Sequence, residues 1–312
     1  MKCLVTGGAG FIGSHIAEAL LRRGDKVRIL DNLSAGTQEN LDAIGKKAEF
    51  FLGDLKNISD VEKAVTGIDV IFHHAAMRSV PKSVDMPLAS NENNVTGTLN
   101  LLIAARKSGV KRVIYASSSS VYGNNKTFPQ SETLIPAPRS PYAVSKLAAE
   151  HYCVMYAKTL GLETVSLRYF NVFGPRQALE SKYAVVVPKF MAAAISGDTL
   201  EVHSDGKQSR DFTYIDNVVQ GNLLAASAKN VAGEVFNLAC GENYSLLDII
   251  RVLEKLCGKK LKRKHSSERV GDVRRTWADM RKAKKLLGYK PSVSFEDGLA
   301  RTWDWFSKGA RK

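Results

Sequence analysis

The chain has 312 residues, 44% of them apolar, and 45 lysines and arginines against 31 acidic residues, for a formal charge of +14 at pH 7. That length and apolar content allow a full core in one or two domains, while no stretch approaches the roughly 20 apolar residues of a membrane span, which excludes an integral membrane protein of the helical kind. The first apolar run is strand-length and ends in glycines, unlike a signal peptide, so a cytoplasmic location is expected. The four cysteines (Cys3, Cys153, Cys240, Cys257) are scattered without metal-ligand spacing; no metal site is expected, and Cys3 reads as a buried thiol.

A strand over residues 2–6 runs into Gly7, Gly10 and Gly13, and a helix pattern follows over 11–23. A strand, a glycine turn and a helix start bring backbone N–H groups and a helix N-terminus up to a pyrophosphate. Gly7 takes the tight turn, Gly10 leaves room for the phosphates and Gly13 lets helix and strand pack closely. Further strands are expected at 26–31, 48–52, 69–73, 111–117 and 163–169, with helices at 59–66, 90–108 and 141–160. This alternation predicts an α/β fold: a Rossmann-type, doubly wound parallel sheet with helices on both faces. From about residue 175 the elements shorten, with loops at Ser204-Asp-Gly-Lys207 and from Ser266 to Arg274. The expected organisation is a dinucleotide-binding domain over 1–174, to which 211–240 return as a helix and a strand. A smaller C-terminal α/β lobe, mainly 175–312, would bind substrate. The basic excess lies late, at Lys259, Lys260, Lys262, Arg263, Lys264, Arg274, Arg275, Arg281, Lys282, Lys284 and Lys285. Without interleaved aromatics it reads as a solvated surface that attracts an anionic small molecule, and no nucleic acid is expected.

Asp31 ends the second strand, where a carboxylate accepts both ribose hydroxyls of adenosine and repels a 2′-phosphate. With no arginine at 32 or 33, NAD is favoured over NADP. Asp54, after the third strand, is placed to meet the adenine amine. Ala75 and Ala76 suit close approach of a cofactor, whereas His73 and His74 read as core or strand-end residues. Tyr142 and Lys146 stand four apart at the start of a helix announced by Pro141, on one helix face. An ammonium there lowers the phenol pKa and makes Tyr142 a usable base. Ser118, at the end of the fifth strand, offers a hydroxyl to the reacting alcohol.

With Thr6 to Gly13, Ser117 to Gly123, Tyr142 to Lys146, Arg168-Tyr-Phe-Asn-Val-Phe-Gly174, Ser209-Arg-Asp-Phe-Thr-Tyr-Ile-Asp216 and Gly271-Asp-Val-Arg-Arg-Thr-Trp-Ala-Asp279 in this order, nearly the whole chain resembles an extended short-chain dehydrogenase/reductase. Specifically, it resembles a nucleotide-sugar 4-epimerase. The resemblance implies that Tyr142 removes the proton of the sugar 4-hydroxyl while hydride leaves C4 for bound NAD, that Ser118 helps shuttle the proton, and that Lys146 also holds the nicotinamide ribose. The 4-keto sugar then turns over and takes hydride back on its other face. It further implies cofactor contacts at Gly7, Gly10, Phe11, Ile12, Gly13, Asp31, Asn32, Asp54, Leu55, Ala75, Ala76, Arg78, Asn94, Ser117, Tyr142, Lys146 and Tyr169. Substrate contacts are implied at Arg78, Ser118, Ser119, Tyr142, Asn171, Val187, Arg210, Arg269, Asp272 and Thr276. Asn171, Arg210 and Arg269 match residues that hold a diphosphate, for which arginine forks are suited, and Asp272 matches a ribose contact.

Related dehydratases and decarboxylases carry a carboxylate where this chain has Ser119 and Ser120, which argues for epimerisation. Thr276 matches a gate beside the sugar C2, where a small residue admits an N-acetyl group. UDP-glucose and UDP-galactose, and also UDP-N-acetylglucosamine and UDP-N-acetylgalactosamine, are therefore the expected substrates, with UDP-uronates as the alternative. A non-catalytic NAD sensor is the competing class, against which Tyr142, Lys146 and Ser118 stand together. The resemblance also implies a homodimer built from helices near 90–108 and 141–160, with Leu99, Leu102, Ile103, Ala148, Tyr152 and Tyr156 as contact candidates; the same residues could instead pack on the sheet.

Overall fold

In a computed structural model, which describes residues 1–178, 186–267 and 273–309, seven strands form one sheet: β1 (Lys2–Thr6), β2 (Lys26–Asp31), β3 (Glu49–Leu52), β4 (Val70–His73), β5 (Arg112–Ser118), β6 (Glu163–Tyr169) and β7 (Glu234–Leu238). Their order is β7-β6-β5-β4-β1-β2-β3 and every pairing is parallel. The order reverses at β1, and the crevice beyond the carboxyl ends of β1 and β4 is where such sheets bind ligands. The strands read as near-continuous apolar runs because helices cover both faces.

On one face α3 (Ile58–Val65), α6 (Gly97–Lys107) and α7 (Pro141–Leu160) bury Val61, Leu101, Ala149 and Cys153 against Leu4, Ile71, Val113 and Tyr115. On the other face α1 (Phe11–Arg22) and α9 (Ile215–Ser227) bury Ile16, Leu20 and Val218 against Val5, Phe72, Ile114 and Val165. That second core runs on without a break into Phe173, Phe212, Phe295 and Leu299 of the later chain. There α8 (Val186–Ser196), α10 (Leu246–Cys257), α11 (Arg281–Leu287) and α12 (Phe295–Gly309) accompany three two-stranded ladders. Among the described residues no helix is long and apolar enough to cross a membrane. The expected return of 211–240 to the main sheet is α9 followed by β7.

Three stretches differ from the sequence reading. Helix α2 (Gln38–Ile44) was not expected; it is too short to show an apolar stripe, and its start is fixed by the Thr37 side chain, which accepts from the Asn40 amide. The stretch read as one helix over 90–108 is three pieces, α5 (Pro87–Asn91), a π-helical turn (Glu92–Thr96) and α6, preceded by α4 (Val80–Asp85). Of the dimer-contact candidates, Leu102 and Tyr156 are buried in the sheet-side core and Leu99 and Tyr152 pack against it. The outward apolar side chains of this region include Val84, Leu88, Ile103 and Val144, with Leu88 79% exposed.

The amino end of the sheet carries the same device twice. Arg28 of β2 bonds Glu49, its register partner on β3, and donates to the carbonyls of Ala64 and Thr66 at the end of α3. Arg112 of β5 bonds Glu163, its register partner on β6, and donates to the carbonyls of Ala225, Ala226 and Ala228 at the end of α9. A guanidinium at a helix C-terminus satisfies orphan carbonyls and complements the helix dipole.

Candidate active site

The glycine turn is held by contact. Gly7 has φ +69°, its amide donates to Leu30 O at 2.9 Å, and a Cβ there would stand 2.7 Å from the Ala75 amide. A Cβ on Gly13 would stand 2.2 Å from Gly7 O, whereas one on Gly10 would meet only Gly7 O, at 3.1 Å. Gly10 is the N-cap of α1 and offers no side-chain cap, and the first turn holds no acidic residue. The amides of Phe11, Ile12 and Gly13 thus form the positive helix end with open space before it, the cradle a dinucleotide pyrophosphate fits. Asp31 lies beside this turn, accepting from the amides of Ala9 (3.0 Å) and Leu33 (2.8 Å), and burial raises its pKa. Asn32 Nδ2 donates to Asp54 Oδ2 at 3.1 Å, which joins the ends of β2 and β3, and Leu55 packs under Gly97 of α6.

The carboxyl end of β4 is fixed by a buried relay. Thr98 donates to Asn94 O, so His73 Nε2 donates to Thr98 Oγ1 (2.8 Å), and His73 Nδ1 accepts from Thr6 Oγ1 (2.7 Å). Thr6 Oγ1 in turn accepts from the amides of His74 and Ala75. Burial and the nearby Lys146 hold His73 far below its ordinary pKa, so it is neutral and structural. Asn94 sits in the π-helical turn, accepts from the Met77 amide at 2.7 Å and donates to Ser145 Oγ at 2.9 Å. Ala76 and Arg78 flank Met77 on the same segment, with Arg78 exposed.

Helix α7 starts with Ser140 as N-cap and Pro141 in the first turn, a strong start signal. Tyr142, in this first turn, is set near Ser118 at the end of β5, whose hydroxyl favours the phenolate. Ser118 accepts from the amide and hydroxyl of Ser120, and Ser119 follows it, part exposed. Lys146, one turn on, is buried, donates to Ala116 O at 2.7 Å and lies over the Tyr115 ring at 5.0 Å; burial lowers its pKa to about 8. The phenol of Tyr142 is raised above its ordinary value by burial, and what opposes this is the nearby Ser118 hydroxyl and the charge of Arg78. This corrects the expectation that Lys146 lowers the tyrosine: its ammonium is turned to β5.

The expected substrate contacts fall into two groups. Asn171, at φ +33°, donates to Asp211 O (2.9 Å) and to Thr276 Oγ1 (3.0 Å). Thr276 is only 9% exposed, so the hydroxyl at the expected gate is engaged with Asn171. Arg210 precedes Asp211, is mostly buried, and donates to Ser209 O. Val187 is buried in the core of the sheet's second face. Arg269 and Asp272 lie outside the described residues. Two residues expected at the cofactor have their polar groups turned elsewhere. Ser117 donates to Glu150, and Tyr169 donates to Asn222 Oδ1 while its ring stacks on His74.

The residues that tie the site together and were not singled out in the sequence are Ser145, Glu150 and Asp211. Asp211 accepts from the amides of Cys240 (3.0 Å), Gly241 (3.0 Å) and Ala278 (3.2 Å), and burial lifts its pKa to about 7. Its place after Arg210 in a quoted motif and the position of Glu150 four residues after Lys146 were the available signals.

The chain matches the model of the NAD dependent epimerase/dehydratase family over residues 3–239. It is 37% identical over 312 residues to UDP-glucuronate 4-epimerase of Thermodesulfobacterium geofontis, covering 97% of this chain and 95% of that one. Among solved structures it is similar to UDP-glucose 4-epimerase of Thermotoga maritima with UDP-glucose, at 38% identity, TM-score 0.95 and coverage of 99% and 100%. It is also similar to UDP-N-acetylglucosamine 4-epimerase of Methanobrevibacter ruminantium in complex with UDP-N-acetylmuramic acid, at 39% identity, TM-score 0.94 and coverage of 99% and 98%. A glycine cradle before α1, a tyrosine set near a strand-end serine and a match of this extent lead to one conclusion: the chain belongs to the NAD dependent epimerase/dehydratase family.

Proposed function

We propose that this chain is a cytoplasmic, NAD-dependent isomerase that interconverts the C4 epimers of UDP-hexoses and UDP-N-acetylhexosamines. The observation that carries the reading is the convergence of Tyr142, in the first turn of α7, on Ser118 at the carboxyl end of β5, one helical turn from the buried Lys146. All four cysteines are free, as suits a reducing compartment.

Gly7, Gly10, Gly13 and the first amides of α1 would hold the pyrophosphate, and Asp31 the adenosine ribose. When bound, NAD supplies a hydride acceptor for the sugar C4 and a donor for its return. Tyr142, as its phenolate, takes the 4-hydroxyl proton on its oxygen and gives it back, and Ser118 holds the hydroxyl in line. Arg78 favours the phenolate by its charge. Arg210 and Asn171, with Arg269, would meet the diphosphate. Ser119 and Ser120 provide no carboxylate for elimination, which supports a reaction that returns the sugar skeleton intact. The small Thr276 supports acceptance of an N-acetyl group at C2.

A UDP-uronate is the second reading, favoured by the charge of Arg78, which acts on the reacting tyrosine, and by the UDP-glucuronate 4-epimerase relative. The test is turnover without added NAD. Purified protein is incubated separately with UDP-N-acetylglucosamine, UDP-glucose and UDP-glucuronate, and anomeric protons are followed by NMR. New 4-epimer signals with the first two are expected. Signals with UDP-glucuronate alone would install the second reading, and no product even with NAD supplied would leave an NAD-binding sensor.

We further infer a homodimer formed through the outward side chains of α4 to α7. Val84, Leu88, Ile103 and Val144 are exposed apolar side chains on these four helices, and clustered exposed apolar residues mark interfaces. Leu88→Glu should convert a dimer to a monomer in light scattering; a wild-type monomer at tens of micromolar would refute the inference.

A further inference from the structure

We propose that Glu150 is a positioning residue for the epimerisation. Through Ser117 and Arg168 it fixes where the reacting ends of β5 and β6 stand relative to the helix bearing Tyr142 and Lys146. The inference rests on the reading that these two residues and Ser118 carry the chemistry.

Tyr142, Lys146 and Glu150 recur at four-residue steps along α7, so they share one helix face. Glu150 is 1% exposed and its partner Arg168 4%. The carboxylate accepts from Ser117 Oγ at 2.6 Å, Arg168 Nε at 3.0 Å and Arg168 Nη2 at 2.7 Å. Ser117 and Arg168 are direct register partners on β5 and β6, and the next rung outward is Ser118 with Tyr169. On the rung before, Lys146 Nζ donates to Ala116 O at 2.7 Å. The helix therefore grips the two rungs immediately behind Ser118, one with Lys146 and one with Glu150.

The same rung continues across the sheet. Asn237 of β7 is the register partner of Arg168. Tyr122, whose ring lies 4.8 Å under the Arg168 guanidinium, donates to Asn237 Oδ1 at 2.6 Å. Asn237 Nδ2 then donates to the carbonyls of Gln130 (2.8 Å) and Asp279 (3.2 Å). A polar row thus runs from the catalytic helix, across three strands, to the segment that carries Thr276.

Stability is a poor reason for such a row. A buried ion pair is often no better than an apolar pair of the same volume, and Arg168 Nη1 has no hydrogen-bond partner among the described residues. What the carboxylate provides and a leucine could not is a directional hold on two strands at once. Misplacement by about 1 Å at a reacting group can cost about 100-fold in rate.

The test compares Glu150→Gln, the paired Glu150→Leu with Arg168→Met, and Ser117→Ala against wild type, all as NAD-loaded protein. Glu150→Gln keeps an acceptor for Ser117 but turns an amide NH2 toward Arg168. The expected result for it and for the pair is kcat lower by roughly 10- to 100-fold, with KM, bound NAD and calorimetric UDP affinity within about twofold of wild type. The isotope effect on kcat with 4-deuterated substrate should rise. A folded pair variant with kcat within about twofold of wild type would overturn the proposal, as would a loss confined to KM. If the pair variant does not fold, Ser117→Ala decides: unchanged kcat overturns the proposal and a several-fold loss supports it. If wild type turns over no UDP-sugar, the epimerase reading fails instead. Crystal structures of wild type and Glu150→Gln then decide the positioning, because an unmoved Lys146–Ala116 contact would refute it.

Discussion

Asn94 and Ser145 join the π-helical turn to the first turns of α7: Asn94 Nδ2 donates to Ser145 Oγ at 2.9 Å, and Ser145 Oγ donates to Tyr142 O at 2.8 Å. A π-bulge inside a helix is a common place for a functional side chain. Here it directs the buried Asn94 at the backbone of Met77 and at the helix of the proposed base. Asn94→Ala would leave the Met77 amide and Ser145 without this partner. The expected cost is about 1–3 kcal/mol of stability, read by urea unfolding, together with loss of most of the NAD that heat releases from the purified protein. Full NAD occupancy in the variant would remove Asn94 from the cofactor site.

The glycines of the first turn should separate in a binding assay. A Cβ on Gly13 collides with Gly7 O, so Gly13→Ala should lower both thermal stability and NAD content. Gly10 has φ −83°, which any residue adopts, and only Gly7 O close by. Gly10→Ala should therefore fold with a near-normal melting temperature yet lose NAD affinity by tenfold or more, because the methyl group enters the phosphate cradle. Equal NAD affinity in Gly10→Ala and wild type would place the pyrophosphate elsewhere.

Lys146 makes stability depend on pH in a predictable direction. Its pKa is lowered by burial from 10.5 to about 8 in the folded chain. Below about pH 8 the folded protein carries a buried ammonium at full penalty. Between about 8 and 10.5 the folded state releases that proton while the unfolded chain keeps it, so the penalty falls as pH rises. The whole difference is on the order of 3 kcal/mol. In NAD-free protein, Lys146→Met should gain most over wild type below pH 8, and the gain should shrink toward pH 10. A stability difference that is flat across this window would show that Lys146 is not titrating there.

Thr276 offers a test of sugar choice. Its hydroxyl accepts from Asn171 in a nearly closed setting, so a phenol at this position must occupy the space beside it. Thr276→Tyr should abolish turnover of acetylated sugars and spare UDP-glucose, measured as kcat/KM on both. Equal loss on both would end the gate idea.

The sheet and its glycine turn were legible because both leave local marks. Cys3 to Val5 is apolar on both faces of β1, and Gly7, Gly10 and Gly13 stand where contact forbids or disfavours a side chain. Tyr142 and Lys146 were legible as a spacing. What each does with its polar group was not, because that depends on residues far along the chain. Lys146 turns to Ala116, Ser117 to Glu150 and Tyr169 to Asn222, across 30, 33 and 53 residues. The division of 90–108 at a π-helical turn left no periodicity to read. Leu102 and Tyr156 were readable as apolar but not as inward, since helices packed on a sheet can bury apolar residues on more than one side.

The paired arginines at the amino end of the sheet give the molecule a foundation apart from its workshop. Arg28 ties β2, β3 and the end of α3; Arg112 ties β5, β6 and the end of α9. Each half of the sheet is therefore fastened at its own base, at the opposite end of the strands from Asp31 and Ser118. Heat tolerance and catalytic tuning can then vary along separate ends of the same strands. A lineage living at a different temperature could alter one end while leaving the geometry around Tyr142 untouched.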